Sequence, residues 1–294
     1  MVSNQINVAV LMGGVSNERG VSLRSGNEVS KVLREAGYNV IEIIVNDTEL
    51  HELDSYNIDV AFIALHGTFG EDGGVQELLE SKGIPYTGPG VEASRLAMDK
   101  LASKEIFISN NLVTPDYIDV SQYGSKEELE NAVKSIGLPV IVKPSMDGSS
   151  IGIKIANNME QLHDGISFAR KYGGPVLVEK YIEGNEFTVS ILLDKPLPIV
   201  EIKTGCCFYS YCSKYKSHDT KYSTKVNITR QVYESIQDLA LKAHSALGCT
   251  DMSRVDIILG KDGISYLLEV NTIPGFTERS LYPMAAEAAN IKFA

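Results

Sequence analysis

Positive charge is in short supply in this sequence: 27 Lys and Arg stand against 38 Asp and Glu, a formal net charge of −11. A nucleic-acid binder carries a broad basic surface, so the charge argues against that class, and binding a polyanion must rely on local lysines and metal ions. Long apolar runs are missing as well, and no stretch reaches the ~20 residues of a membrane span. Met1 leads directly into the strand-like stretch from Ile6 to Leu11, without the basic-then-apolar layout of a secretory signal, so a cytoplasmic protein without membrane attachment is expected. Only 4 cysteines occur, Cys206, Cys207 and Cys212 in one segment and Cys249 apart, with no metal-ligand spacing. They read as free thiols in a reducing compartment. No Gly-Lys-Ser/Thr is present, which excludes the P-loop, and Gly13-Gly14 does not complete a Gly-x-Gly-x-x-Gly fingerprint, which argues against a hydride-transferring enzyme.

What is present is enough apolar material, 44% of 294 residues, for two or three cores. The first ninety or so residues alternate strand and helix signals, as in an open parallel sheet with covering helices. Val8–Leu11, Val40–Val45 and Val60–Leu65 read as its strands, and Ile84 to Gly90 as a strand running into a turn at a domain edge. A helix is expected from about Glu92 to Ile108. Short strands follow around Val140 and Val176, then a strand over Phe187–Leu193, a polar tyrosine-rich segment from Gly205 to Ser223, and a helix from about Thr229 to Leu247. The expected division is 1–92, 93–182 and 183–294.

The densest chemistry lies between Arg254 and Asn271. Two apolar-rich runs flank Asp262-Gly263, a strong signal for a two-residue hairpin turn. Counting outward from that turn sets Asp256 opposite Glu269 and Arg254 opposite Asn271. Alternation puts these four on one face and Val255, Ile257, Leu259, Tyr266, Leu268 and Val270 on the other. Carboxylates facing each other across a sheet repel, and a divalent cation removes that penalty. Asp, Glu and Asn oxygens are ligands that Mg2+ takes, usually with substrate phosphates completing its shell. A lone carboxylate pair would by default be a solvated outer face, but the flanking Arg254 and Asn271 favour the metal-phosphate reading.

Other stretches are weaker alone. Met146-Asp-Gly-Ser-Ser-Ile-Gly152 follows an apolar strand ending in Lys143. Its small residues would let backbone N–H groups approach an anion while Lys143 supplies a point charge, although a Gly-Ser turn also simply closes hairpins. Glu179-Lys180-Tyr181-Ile182 ends a strand where a base and a ribose could bind, or where an edge strand merely stops. His66 precedes a glycine-rich loop at a strand's C-terminal end, where open α/β sheets place ligands, but a lone His is more often a structural residue. Glu18, after the first strand, could take an ammonium group or cap the next helix.

The order of these stretches along the chain resembles the ATP-grasp enzymes and, within them, the D-alanine–D-alanine ligase family. The resemblance runs through Val10 to Arg19, Phe62 to Gly67, Gly70-Glu-Asp-Gly73, Pro85-Tyr-Thr-Gly88, Met98-Asp-Lys100 and Leu138 to Ser145. It continues through Gly148-Ser-Ser150, Glu186-Phe-Thr188, Lys214-Tyr215, Arg254-Val-Asp256, Leu267 to Thr272 and Pro274-Gly275, almost the whole chain. It implies a three-domain α/β architecture with an N-terminal Rossmann-like open sheet and ATP held between the central and C-terminal domains. It also implies that Lys100 and Lys143 meet the ATP phosphates, that Lys214 helps hold the γ-phosphate, and that Glu179, Lys180, Ile182 and Glu186 surround adenine and ribose. Asp256, Glu269 and Asn271 would hold two Mg2+ ions, with Mn2+ a possible substitute. Glu18 would bind the ammonium of a first D-alanine with His66 nearby, Arg254 and the Gly275 N–H would form an oxyanion site, and Ser280 and Leu281 would hold a second D-alanine. Glu18, Ser149 and Tyr215 would form a closing trio, Tyr215 riding on the segment Gly205–Ser223 as a lid. A homodimer is the implied assembly.

The sequence departs from the family pattern at Gly20-Val21, at Thr224-Lys225 and in the lid, where Tyr209-Ser-Tyr-Cys-Ser-Lys-Tyr215 puts Cys212 in place of a carboxylate. The chain is also expected to stop, at Ala294, within a helix that the family usually extends. A D-lactate- or D-serine-using ligase is one alternative, which Tyr215 speaks against, because the depsipeptide-forming relatives alter that lid position. A non-catalytic ATP-binding relative is another, which the intact set of Lys100, Lys143, Arg254, Asp256, Glu269 and Asn271 opposes. Replacing Tyr215 by Phe is expected to relax the choice of second substrate, measured as the ratio of kcat/KM for D-alanine to that for D-lactate. An unchanged ratio removes Tyr215 from that role.

Overall fold

A computed structural model describes residues 5–146, 148, 152–203 and 220–293. The N-terminal strands β1 (Asn7–Gly13), β2 (Asn39–Val45) and β3 (Val60–Ile63) form a parallel sheet in the order β2-β1-β3. β1 is buried on both faces, as its unbroken apolar run demands. Helix α1 (Arg19–Glu35) covers one side through Ser22, Ser25, Gly26, Val29 and Ser30. These small residues recur every three or four positions and let α1 lie close to β1. Ser22 fastens the contact, accepting from Gly13 N at 2.8 Å and donating to the Ala64 carbonyl at 2.7 Å. Helix α2 (Gly74–Ser81) follows the glycine-rich loop after β3.

The expected helix over 92–108 is interrupted. Helix α3 (Val91–Met98) ends at Asp99, whose extended backbone starts helix α4 (Lys100–Ser109) in a new direction. Asp99 caps α4 through Leu101 N at 3.0 Å and Ala102 N at 3.4 Å, and Ser145 donates to the same carboxylate at 2.6 Å. A polar residue that serves as an N-cap competes with helix continuation, which is why periodicity alone joined the two helices.

The second sheet is antiparallel in the order β4-β7-β5-β6, from β4 (Tyr117–Asp119), β5 (Val140–Pro144), β6 (Lys154–Ala156) and β7 (Val176–Lys180). Helices α5 (Lys126–Ile136) and α6 (Met159–Ala169) supply Leu129, Val133, Leu162 and Ile166 to its core. The third sheet runs β11-β10-β8-β12-β13, with β9 (Lys195–Pro196) also on β8. Its other strands are β8 (Gly184–Leu192), β10 (Val200–Lys203), β11 (Lys221–Ser223), β12 (Met252–Gly260) and β13 (Ser265–Asn271). Residues 221–223, read from sequence as part of the lid, thus form its edge strand. Helix α7 (Arg230–Ala246) packs on this sheet, and Ala93, Ala97, Phe107 and Leu112 join the same core. The C-terminal helix α8 (Leu281–Ala288) seats Leu281 and Ala285 against Leu197, Val200 and Ile202, while Phe276 and Tyr282 pack with Val8, Val10 and Met12 of β1. The first and third sheets therefore share apolar contacts through the chain's last segment. No helix among the described residues is long and apolar enough to cross a membrane.

The β12–β13 hairpin pairs Arg254 with Asn271 and Asp256 with Glu269, but not by a two-residue turn. Gly263, at φ 82°, closes a three-residue loop in which its N–H donates to the Gly260 carbonyl at 2.9 Å. This is the hairpin form that needs a left-handed residue in its last position. The register slips by one and is restored by a bulge between Asp256 and Ile257, where Leu268 is passed over. The two displacements cancel at the functional end. They show in the core: Leu267, not Leu268, is fully buried, and Tyr266 is only half-buried, its hydroxyl donating to Asp262 at 2.7 Å.

A Cβ on Gly26 would stand 2.5 Å from the Met12 Cβ. Gly26→Ala should therefore lower the thermal unfolding midpoint, overpacking at ~1–3 kcal/mol exceeding the ~1 kcal/mol helix-propensity gain. A raised midpoint would contradict this packing.

Candidate active site

Three segments deliver acids to one region. Glu18 stands at the start of α1, is buried, and makes no capping bond to the helix, so the capping alternative does not describe it. Its carboxylate instead faces two glycines: a Cβ on Gly67 would lie 3.1 Å from Glu18 Oε2, and one on Gly148 would lie 3.3 Å away. The loop after β5 thus comes up against Glu18. Gly67 also has a positive φ of 67°, so a side chain there is opposed by backbone as well as space.

His66 is buried beside Glu18, with a backbone hydrogen bond to Ile273. Burial holds its imidazole below the ordinary value, although the Glu18 charge pulls the other way. Its Nε2 has no hydrogen-bond partner among the described residues. A buried imidazole nitrogen without a partner costs free energy unless a ligand meets it. Glu71 accepts from Gly67 N at 2.7 Å and was missed as a site residue, although it stands in the stretch Gly70 to Gly73. Burial first, and then the Glu18 charge, pushes its carboxyl up to about 8, with Arg254 opposing and Glu269 adding to the rise.

The hairpin forms the opposite wall. Asp256 is buried, accepts from Thr188 Oγ1 at 2.7 Å, and takes both arms of the Arg254 guanidinium, Nε at 3.0 Å and Nη2 at 2.9 Å. Asn271 turns its amide nitrogen to Asp256 Oδ2 and to the Arg254 carbonyl, each at 3.3 Å. Across from Asp256, Glu269 meets Lys100 Nζ at 3.3 Å. The facing carboxylates are therefore each neutralised by a side-chain cation, so their repulsion does not by itself demand a metal. Among the described residues no group of three or more His, Cys, Asp or Glu is placed to hold one. The donor chemistry still suits Mg2+: two carboxylates and an amide on one face, where an anionic ligand that drew Lys100 or Arg254 away would leave oxygen ligands facing each other.

Lys100 reaches this wall because α4 begins at it. Its N–H donates to the Ser145 carbonyl at 3.1 Å, tying the helix to the end of β5, which carries Lys143. Lys143 donates to Glu179 Oε1 at 3.1 Å, and Lys104 lies 2.6 Å from Glu179 Oε2. Burial opposes the charge on Glu179, but the two ammonium groups outweigh it and hold its carboxyl below the usual range. Lys180, exposed, and Ile182, half-buried, lie where the chain leaves β7 for β8, which carries the half-buried Glu186. Gly275 abuts Ser280, whose Oγ would stand 2.8 Å from an added Cβ, and Phe276 N donates to Ser25 of α1 at 3.2 Å. Ser280 flanks α8 without capping it, its Oγ accepting instead from Thr277 N at 3.0 Å, and the Leu281 side chain is committed to the core. Ser149, Lys214 and Tyr215, like Cys206, Cys207 and Cys212, lie outside the described residues.

A parallel-sheet unit, followed by two antiparallel sheets that contribute lysines, carboxylates and an arginine to one site, is the architecture of the ATP-grasp enzymes. Comparison with known proteins narrows this class. The family models described as D-ala D-ala ligase N-terminus and D-ala D-ala ligase C-terminus match residues 47–89 and 106–294. The D-alanine–D-alanine ligase of Desulforudis audaxviator is 46% identical over 290 residues, covering 97% of this chain and 94% of that one. The ligase of Marinobacter nauticus is 45% identical over 286 residues, covering 97% and 87%. Among solved structures, the Bacillus anthracis ligase superposes with a TM-score of 0.87 at 38% identity, covering 98% of this chain and 93% of that one. The same enzyme complexed with ATP gives 0.85 at 36% identity with the same coverage. The chain belongs to the D-alanine–D-alanine ligase family.

Because the folded state favours protonated Glu71, stability present below the ordinary carboxyl value of 4.5 is lost as pH rises through about 8. Glu71→Gln should flatten the fall of the ligand-free unfolding midpoint across this window. Parallel midpoint curves for the two proteins would count against the raised carboxyl.

Proposed function

We propose that this chain joins two D-alanine molecules at the expense of ATP, releasing ADP and phosphate and supplying D-alanyl-D-alanine for peptidoglycan. The observation that carries this reading is the hairpin face, where Arg254, Asp256, Glu269 and Asn271 meet Lys100 in a chain 46% identical to a D-alanine–D-alanine ligase.

The carboxylate of the first D-alanine attacks the γ-phosphorus of ATP, giving an acylphosphate and ADP. The amine of the second D-alanine then attacks the acyl carbon, phosphate departs, and the amine's proton is lost. The first step depends on positioning and on neutralising phosphate charge. Lys100 and Lys143 serve the phosphates, with Lys214 from the lid. Glu179, Lys180, Ile182 and Glu186 line the adenine and ribose. Asp256, Glu269 and Asn271 would hold Mg2+, which supplies charge compensation at the phosphates when bound.

Glu18 receives the first D-alanine's ammonium. Neutral His66 stands beside it with Nε2 available to a ligand. Arg254 and the Gly275 N–H face the oxygen that becomes negative in the second step, and a side chain at position 275 would collide with Ser280. Ser280 and the backbone at Leu281 take the second D-alanine's carboxylate, a group that the N–H groups of a helix's first turn favour. Ser149, Tyr215 and Glu18 close the site and exclude water from the acylphosphate. The chain's own division is 1–92, 93–182 and 183–294, its assembly a homodimer and its location the cytoplasm.

The test is phosphate release from Mg-ATP with D-alanine, L-alanine, or D-alanine plus D-lactate, the products identified by mass. Release that requires D-alanine and yields its dipeptide is expected; a mixed D-alanine–D-lactate product, or no D-alanine-dependent release, overturns the reading. Glu269→Gln should reduce kcat by at least about 10²-fold while leaving the unfolding midpoint within a few degrees, charge stabilisation at transferred phosphates being worth that much or more. An active Glu269→Gln enzyme would remove Glu269 from the metal-binding set.

A further inference from the structure

Lys104 is one of the largest fully buried side chains in the molecule, and the reaction outlined above gives it no task. Burying a lysine is costly, and an apolar residue of similar shape would fill the space as well or better. Its surroundings suggest another reason for a charge. Glu179, with 1% of its side chain exposed, divides its oxygens between two lysines: Oε1 to Lys143 at 3.1 Å and Oε2 to Lys104 at 2.6 Å. Lys104 also donates to Thr114 Oγ1 at 2.5 Å and to the Pro115 carbonyl at 3.2 Å. Thr114 in turn donates to the Leu267 carbonyl of β13 at 2.9 Å, two positions before Glu269. Of the two lysines Lys143 is the more open, 8% against 1% of the side chain.

The charge count decides what this arrangement can do. Lys143 and Glu179 alone sum to zero, and a polyanion approaching such a pair meets attraction and repulsion of similar size. With little water between these groups, that repulsion is weakly screened. Adding Lys104 makes the cluster singly positive. We propose that Lys104 is a positioning residue of the nucleotide site, offsetting Glu179 so that Lys143 stays electrostatically available to an anionic ligand. This inference rests on the reading that Lys143 meets the ATP phosphates. Burial pushes the Lys104 ammonium down to about 8, with Glu179 acting to raise it, so the counter-charge would begin to fade just above neutral pH.

The test is ATP affinity by equilibrium binding without D-alanine, together with KM for ATP and for D-alanine. Lys104→Met should weaken ATP binding and raise its KM about tenfold or more, while KM for D-alanine changes less than about twofold. A purely structural lysine predicts the opposite pattern, with ATP affinity kept and only the unfolding midpoint altered. In a Glu179→Gln background the charge to be offset is gone, so adding Lys104→Met should cost less than about twofold in ATP affinity. Thr114→Val, which cuts the link to β13 without changing charge, should leave ATP affinity within about threefold. Lys104→Gln, neutral but still able to donate to Thr114, replaces Met should the latter not fold. The inference is overturned if neutral Lys104 variants bind ATP as the parent does, if both substrates are weakened alike, or if the cost is undiminished in the Glu179→Gln background. Lys143→Met separates the two readings: unchanged ATP affinity there removes Lys143 from the phosphates, whereas lost affinity with an unaffected Lys104 variant removes only Lys104.

Discussion

Neutralising buried and half-buried carboxylates with cations, most of them from other segments, is the constraint around which this molecule is arranged. Asp256 is held by Arg254 two residues away on the same strand, but Glu269 needs Lys100 from α4, and Glu179 needs Lys143 from β5 and Lys104 from α4. A carboxylate left unpaired in such surroundings would be protonated or would destabilise the fold. The pairings made by α4 therefore also link the second sheet to the third. Helix α4 is tied to β5 through Ser145, to β7 through Glu179 and to β13 through both Glu269 and Thr114.

The break at Asp99 makes this possible. A continuous helix over 91–109 would carry Lys100 at an interior position, on a course set by α3. The cap instead restarts the helix so that Lys100 and Lys104 lie one turn apart at its beginning, where both reach carboxylates. The same economy appears at the other end of the site, where the loop after β13 is pinned to α1 by Ser25 and packed on β1 by Phe276. Glu18 and His66 from the first sheet, and Arg254 and Gly275 from the third, are thereby held in one place.

The hairpin shows how local and global rules trade off. An Asp-Gly pair favours a tight turn, and the alternation of the strands is strong enough to propose partners. The turn nevertheless closes over three residues, because Gly263 supplies the left-handed conformation at its last position. A bulge at Leu268 then returns the loaded face to register. Bulges answer to packing on the neighbouring sheet face, here the requirement that Leu267 and Val270 enter one core, and that requirement has no local signal.

Local chemistry in the chain determined the parallel first sheet, the hairpin and its four-residue face, and the segments that carry lysines and carboxylates, because period and turn residues act over a few positions. The order of those segments was by itself enough to point to the D-alanine–D-alanine ligase family. The break at Asp99, the bulge, the proximity of Glu71 to Glu18 and the shared burial of Lys104, Lys143 and Glu179 were decided only by tertiary structure. Each depends on groups tens to more than a hundred residues apart, and the energy that selects it, desolvation offset by a partner charge or a cap offset by a second helix, exists only once the sheets have packed.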